Sequence, residues 1–142
     1  MLRKSQNIFL LISTLLVASM FFCNFAVIIG HSGEELSIKY YEKTGYLLFL
    51  IMLLTAHISA FASFKVKLLQ MRVAIISALL SLGFQIWLGV DFFSNVNEMV
   101  FSVSIIFPAV CVILDVLSAR AAFIDAATEL STMAASQKKR KR

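Results

Sequence analysis

An aspartate and a histidine stand inside long uncharged stretches of this sequence. Asp115 follows the uncharged run 99–114, and His57 lies within the run 44–64. Ionisable side chains in such segments face an interior or water, because exposing them to hydrocarbon is costly. Hydroxyl groups in the other two runs fall at similar distances from the helix ends. The candidate polar cluster comprises Asp115, His57, Ser13, Thr14, Ser77 and Ser81.

Three interpretations of this cluster follow from its chemistry. A buried Asp–His pair titrates near neutral pH, which is typical of a proton-linked or substrate-binding site. Alternatively, the same groups form a structural contact that holds the helices together. In the third interpretation, Asp115 extends toward basic residues of a neighbouring connection, namely Lys65, Lys67 or Arg72. The sequence leaves all three open.

Four apolar runs must position these side chains. They cover residues 5–30, 44–64, 73–90 and 99–114 of a 142-residue chain that is 60% hydrophobic and 15% charged. A soluble domain is about 45–50% apolar and about 25% charged, whereas a bilayer-spanning helix needs about 20 mostly apolar residues. The sequence therefore predicts an all-α polytopic membrane protein. Its four transmembrane helices are expected at about 7–30, 45–64, 73–90 and 98–119.

The connections predict how these helices are arranged. The connections after the second and third helices are short, so consecutive helices are antiparallel neighbours in an up-down-up-down bundle covering residues 1–119. The first run is far longer than the apolar core of a signal peptide, so we expect a retained helix. Pro108 falls within the fourth predicted helix, where proline produces a kink that is either a hinge or static.

A different pattern follows the fourth run. Residues 120–136 carry apolar side chains at alternating spacings of three and four, which predicts an amphipathic helical extension into the cytoplasm. This extension either contacts lipid, the inner connection or a partner, or it frays. The basic tail 137–142 either binds anionic headgroups or remains solvated and reinforces the topology.

Basic residues predict the orientation. All thirteen lysines and arginines except Lys39 and Lys43 lie near the termini or between the second and third helices. Such residues favour the cytoplasmic side, so both termini are predicted to be cytoplasmic. This topology also accounts for the net charge of +5 without a nucleic-acid partner. Before the tail, the topology-determining residues are Arg3, Lys4, Lys65, Lys67, Arg72 and Arg120.

Three segments carry a resemblance to a known family. They are "MLRKSQNIFLLIS", "FKVKLLQMR" and "FPAVCVILDVLSARAAFID", with the matching positions Gln6, Gln70, Arg72, Pro108, Leu117, Arg120 and Asp125. In their order and spacing, the sequence resembles the domain of unknown function 4293 family, small four-helix inner-membrane proteins of Bacteroidota. The resemblance implies a bacterial inner-membrane location. It supplies no activity and no catalytic residue.

No enzyme motif is present in the sequence. It contains no phosphate-binding glycine loop, no HExxH and no GxSxG. His31 and His57 fall at different depths and cannot share one haem iron, so we expect no cofactor and no metal. The sequence favours a non-enzymatic accessory or scaffold protein in the lipid bilayer that binds other membrane proteins or itself. The alternative is a small proton-linked transporter or channel using Asp115 and His57.

Overall fold

A computed structural model describes residues 2–140, which form four α-helices and a small sheet. The helices are α1 Leu2–Met20, α2 Thr44–Ala62, α3 Lys67–Asn95 and α4 Phe107–Arg140. The strands are β1 Asn24–Ile29, β2 Glu35–Lys39 and β3 Met99–Phe101. Short 3-10 turns occupy Tyr40–Glu42, Ser63–Lys65 and Val103–Ile106. The chain is mostly helical, in agreement with the predicted all-α class.

Three of the helices are long and apolar enough to cross a membrane. Extended by their 3-10 turns, these segments are Thr44–Lys65, Lys67–Asn95 and Val103–Arg140. The apolar part of α1, Ser5–Met20, is shorter. The chain therefore has the helix content of a membrane protein.

The four helices pack in a closed ring. α4 packs against α3 and α1, and α2 packs against the same two helices. Helices α1 and α4 run in opposite directions, because the Ser118 hydroxyl bonds to the Gln6 carbonyl while the Cys111 thiol approaches the Ser13 carbonyl. The same reversal relates α3 to α4, as two contacts show: Lys67 with Asp125 and Gln85 with Ala109.

The three strands form an antiparallel sheet in the order β2-β1-β3. Val27 of β1 lies opposite Ser37 on one side and Val100 on the other. The sheet combines the α1–α2 connection with the α3–α4 connection. We call the end of the helix ring that carries the sheet the sheet end, and the opposite end, where Lys67 begins α3, the open end.

The sheet corrects the predicted first helix. Residues 7–30 were expected to be helical, but α1 ends at Met20 and Asn24–Ile29 is a strand. This segment contains three consecutive β-branched residues, which favour strands, and it finds hydrogen-bonding partners in both neighbouring connections. Its uncharged composition was equally compatible with a continuing helix.

The third and fourth helices also differ from their predicted bounds. α3 begins at Lys67 and ends at Asn95, so it is longer at both ends than the predicted 73–90. α4 begins at Phe107 instead of residue 98, because Met99–Phe101 pairs with β1. Pro108 consequently lies in the first turn of α4, where a missing N–H breaks no helical hydrogen bond. The predicted mid-helix kink at Pro108 is wrong.

The C-terminal quarter of the chain forms one continuous helix. α4 runs through the predicted boundary at residue 119 and includes the 120–136 extension and the beginning of the tail. The side chains of Arg3 and Lys4, and the last two residues of the basic tail, lie outside the described part of the chain.

Candidate functional site

Three helices bring one polar side chain each to the interior of the ring. Ser13 comes from α1, His57 from α2 and Asp115 from α4, and each is 0% exposed. His57 Nε2 lies 2.8 Å from Ser13 Oγ and 3.0 Å from Asp115 Oδ2. The other ring nitrogen, Nδ1, lies 2.7 Å from the Leu53 carbonyl oxygen. We call these three side chains the Ser–His–Asp cluster.

The hydrogen-bonding partners fix the number of protons in the cluster. A carbonyl oxygen can only accept, so His57 Nδ1 carries a proton toward Leu53. The contact between His57 Nε2 and Asp115 Oδ2 requires one further proton, which sits either on the ring or on the carboxyl group. Both arrangements have zero net charge. The cluster is therefore a neutral site holding one shared proton.

Neutrality suits the position of the cluster. Removing the shared proton would leave an uncompensated negative charge among fully buried side chains, and adding another would leave a positive one. Either change is costly in an interior of low polarity. A net charge of zero therefore fits the complete burial of the three side chains.

The geometry differs from that of a serine hydrolase. In a Ser-His-Asp triad the serine and the aspartate contact opposite ring nitrogens, so the aspartate orients the histidine as a base. Here Ser13 and Asp115 share Nε2, while Nδ1 bonds to the Leu53 carbonyl. All three side chains are also fully buried. This arrangement does not activate Ser13 as a nucleophile.

The other three predicted cluster residues do not join the contact. The Thr14 hydroxyl donates to the Leu10 carbonyl at 2.7 Å, and the Ser77 hydroxyl donates to the Val73 carbonyl at 3.0 Å. Both bonds stay within one helix. Ser81 is buried, and its hydroxyl has no hydrogen-bonding partner among the side chains that the structure describes, those of residues 5–140.

Asp115 does not extend toward the basic connection. Its carboxylate contacts His57, and the nearest charged contact of Lys67 is instead Asp125, at 4.0 Å. The structure thus contradicts the interpretation in which Asp115 extends toward Lys65, Lys67 or Arg72. It retains the structural contact and the proton-linked site as alternatives.

A second group of buried polar side chains lies nearer the open end, and the sequence reasoning missed it. Gln6 and Gln70 are both 0% exposed. The Gln6 amide donates to Asp125 at 3.5 Å, and the Gln70 amide donates to Asn7 at 3.0 Å. Gln6 lies near the start of the first apolar run, and Gln70 lies in the stretch between the second and third runs. The available signal was their place in the segments that carry the family resemblance.

The structure shows no metal-binding arrangement in the part of the chain that it describes. Within residues 2–140, no three side chains among histidine, cysteine, aspartate and glutamate lie close enough together to hold an ion. Both cysteines are free thiols.

The sequence model for the family described as Domain of unknown function (DUF4293) matches residues 2–128. The chain belongs to this family. In this DUF4293 protein, the match covers the helix ring and the sheet and ends within α4. No curated protein and no solved structure matches the chain. The family description carries no activity.

Proposed function

We propose that this DUF4293 protein is a multi-pass protein of the bacterial inner membrane without enzymatic activity. In this proposal it is an accessory or scaffold component that binds other membrane proteins, or a second copy of itself, through the far half of α4. Three long apolar helices and a shorter fourth one support the membrane location.

The charge distribution supports four crossings with both termini in the cytoplasm. Lys65, Lys67, Arg72 and Arg120 lie toward the open end, where cytoplasmic basic residues are expected. Four of the eight acidic residues lie in the connections at the sheet end, namely Glu34, Glu35, Glu42 and Glu98. The proposed orientation therefore places the sheet on the extracytoplasmic side and the open end at the cytoplasmic surface of the bilayer.

The projecting part of α4 is the observation that carries the binding role. Every residue from 127 to 140 is exposed, although all belong to one helix. At a rise of ~1.5 Å per residue, this stretch extends about 20 Å. We call residues 127–140 the arm. Most helical stability in proteins comes from packing, and the exposed residues of the arm bury little surface within this chain, so a partner would stabilise the arm.

The arm also carries an apolar surface that a partner can cover. Leu130 is 68% exposed and Met133 is 59% exposed. Both line a groove of about 300 Å³ whose other wall includes Val66 of the α2–α3 connection and Leu68 at the start of α3. An apolar side chain of a partner helix would bury surface there. Such burial is the main favourable contribution to most protein associations.

Cross-linking in native membranes tests this proposal. We expect the wild-type protein to form a stoichiometric cross-linked complex, with a partner or with itself, and Leu130→Glu to lose it. Ser131→Glu is the matched control, because it adds the same charge to the arm at a residue that does not line the groove. A monomer in wild-type membranes, or equal complex formation by the two variants, would contradict the proposed role of the arm.

A second candidate function rests on the Ser–His–Asp cluster. A neutral pair holding one proton is an arrangement that a small proton-linked transporter or channel could use. Proton flux in proteoliposomes that disappears in Asp115→Asn, with the helices still assembled, would support this function. Equal flux through wild-type and variant proteins would exclude a role for Asp115 in it.

A further inference from the structure

A second groove lies on the outer surface of the helix ring, between α3 and α4. It has a volume of about 410 Å³. Ala78 and Ala119 are both almost fully buried and form its floor, since their short side chains leave space above them. Exposed aliphatic side chains form its walls: Ile75, Leu79 and Val116. The groove is therefore an apolar depression on the outer surface of the protein.

Arg120 brings a positive charge to this groove. It lines the groove at the side nearer the open end, and its side chain is exposed. Arg72 precedes the groove-lining Leu79 by seven residues, about two helical turns, and so lies on the same side of α3. Ala74 and Ala119 belong to one packed cluster, which places Arg72 and Arg120 at the same level.

These two arginines are free to bind an anion. The ion pairs among the described side chains of residues 5–140 involve neither of them, whereas Lys67 at the same end lies 4.0 Å from Asp125. A guanidinium group presents a planar set of donors that matches phosphate oxygens, and a charge-assisted bond of this kind is stronger than a neutral one. A phospholipid combines a phosphate group with apolar acyl chains, and these match the two arginines and the apolar groove.

We propose that this groove binds one anionic phospholipid from the cytoplasmic leaflet. An acyl chain lies on Ala78 and Ala119, and the phosphate accepts hydrogen bonds from Arg120 and Arg72. The proposal rests on the membrane orientation proposed above, which places the open end at the cytoplasmic surface. Basic pockets between transmembrane helices on that side are suited to anionic headgroups. From Arg72 to Leu79 the helix rises about 10 Å, which covers much of one leaflet of a core about 30 Å thick.

Native mass spectrometry of the full chain in detergent tests the site. The probes are phosphatidylglycerol and phosphatidylcholine with the same acyl chains. We expect one phosphatidylglycerol per chain, bound about tenfold more tightly than phosphatidylcholine, and we expect Arg120→Gln to remove this preference. Lys65→Gln is the matched control, because it removes one exposed charge at the same end without lining the groove. It should bind as the wild type does.

A second variant tests the apolar part. Val116→Trp fills the groove from an exposed position, so the helices should still assemble while both lipids bind more weakly. Equal binding of the two lipids by the wild type would overturn the proposal, as would equal losses in Arg120→Gln and Lys65→Gln. Displacement of phosphatidylglycerol by inorganic phosphate at the same concentration would also overturn it, because a simple anion site would then explain the binding.

The failure of this proposal is distinguishable from the failure of the membrane assignment. Wild-type protein recovered in the membrane fraction but lacking a lipid preference would refute only the lipid site. Wild-type protein absent from the membrane fraction would refute the membrane proposal and the lipid site together.

Discussion

The sheet end and the open end of this molecule are held together by different interactions. At the sheet end, the ring of Phe25 meets those of Tyr40, Tyr46 and Phe101 edge-on, with centroids 5.1–5.5 Å apart. The Lys43 ammonium group also lies over the Phe25 ring, 4.8 Å from its centroid. Large interlocking side chains therefore fill this end.

The open end contains mostly small and polar side chains. Its buried apolar cluster consists of Leu10 and three alanines, Ala60, Ala74 and Ala119. Hydrogen bonds between helices, such as that from Ser118 to the Gln6 carbonyl, supply the remaining contacts. Close approach of helix backbones thus replaces the interlocking rings of the sheet end.

The difference corresponds to the solvent expected at each end. In water, burying aromatic rings is strongly favourable, because apolar surface is removed from the solvent. In lipid this driving force is absent between helices, and small residues with interhelical hydrogen bonds hold them together. Aromatic packing at the sheet end and small, polar contacts toward the open end therefore agree with the proposed orientation, which places the sheet outside the bilayer.

Breaking the aromatic packing should have the largest effect. Phe25→Ala removes a fully buried ring and its three ring contacts, so we expect a loss of about 3–5 kcal/mol in the free energy of unfolding. Thermal unfolding in detergent, followed by circular dichroism, measures it. Phe22→Ala is the control, since Phe22 is 85% exposed and should tolerate the change. Equal losses in the two variants would show that ring packing does not stabilise the sheet end.

Breaking the Ser–His–Asp cluster should have the next largest effect. Asp115→Val leaves His57 Nε2 without its carboxyl partner, and we expect a loss of about 2–3 kcal/mol. Asp115→Asn should lose about 1 kcal/mol or less, because its amide can donate to the ring in place of the shared proton. The same unfolding experiment compares the two variants. If asparagine destabilises as much as valine, the one-proton description of the cluster is wrong.

A glycine at the sheet end tests how tightly that end is packed. A Cβ at Gly45 would lie 2.5 Å from a ring carbon of Trp87, so Gly45→Ala should displace the indole and lose about 1–2 kcal/mol. A shift in tryptophan fluorescence would report the displacement directly. Nothing lies within 4 Å of a Cβ at Gly83, so Gly83→Ala should be neutral or stabilising by up to about 1 kcal/mol. If Gly45→Ala and Gly83→Ala both destabilise the protein, contact with the indole is not the cause of the loss.

The smallest effect is expected at Tyr40, whose hydroxyl is a polar group among the aromatic rings of the sheet end. Its hydroxyl lies 3.0 Å from the Ser104 hydroxyl, and burial raises the pKa of its phenol from 10.0 to about 12. Between these values the unfolded chain loses this proton while the folded protein keeps it. Its contribution to stability is therefore complete below pH 10 and is lost as the pH rises to about 12.

Tyr40→Phe should remove this part of the alkaline decline in unfolding temperature. At neutral pH we expect it to cost about 1 kcal/mol or less, since a single hydrogen bond is lost. Unfolding temperatures measured across the alkaline range in both proteins give the comparison. Identical slopes above pH 10 would show that Tyr40 does not contribute to the decline.

The sequence indicated similar depths for the residues of the Ser–His–Asp cluster, but it left their contact open among three interpretations. Ser13, His57 and Asp115 were placed at similar depth because a helix rises by a constant ~1.5 Å per residue, so depth follows from counting. Thr14 and Ser77 lie at a similar depth by this count, but their hydroxyls bond to carbonyls of their own helices. Whether a hydroxyl bonds locally or across helices depends on its rotamer and on neighbouring packing, which counting cannot supply.

The sheet could not be predicted from the sequence, for a different reason. Asn24–Ile29 becomes a strand through pairing with segments that lie up to some 70 positions away, as the contact between Val27 and Val100 shows. An uncharged segment that directly continues a helix gives no local sign of such pairing. The misplaced start of α4, and with it the misplaced environment of Pro108, follows from the same omission.

The sheet also determines where the helices are able to move apart. Its strands adjoin the ends of α1, α2 and the turn that leads into α4, so its hydrogen bonds tie the two outer connections together. At the open end a short connection joins α2 to α3, so relative motion there is left to α1 and α4. A rotation of α4 about the sheet would displace the arm more than the part of α4 that packs in the ring.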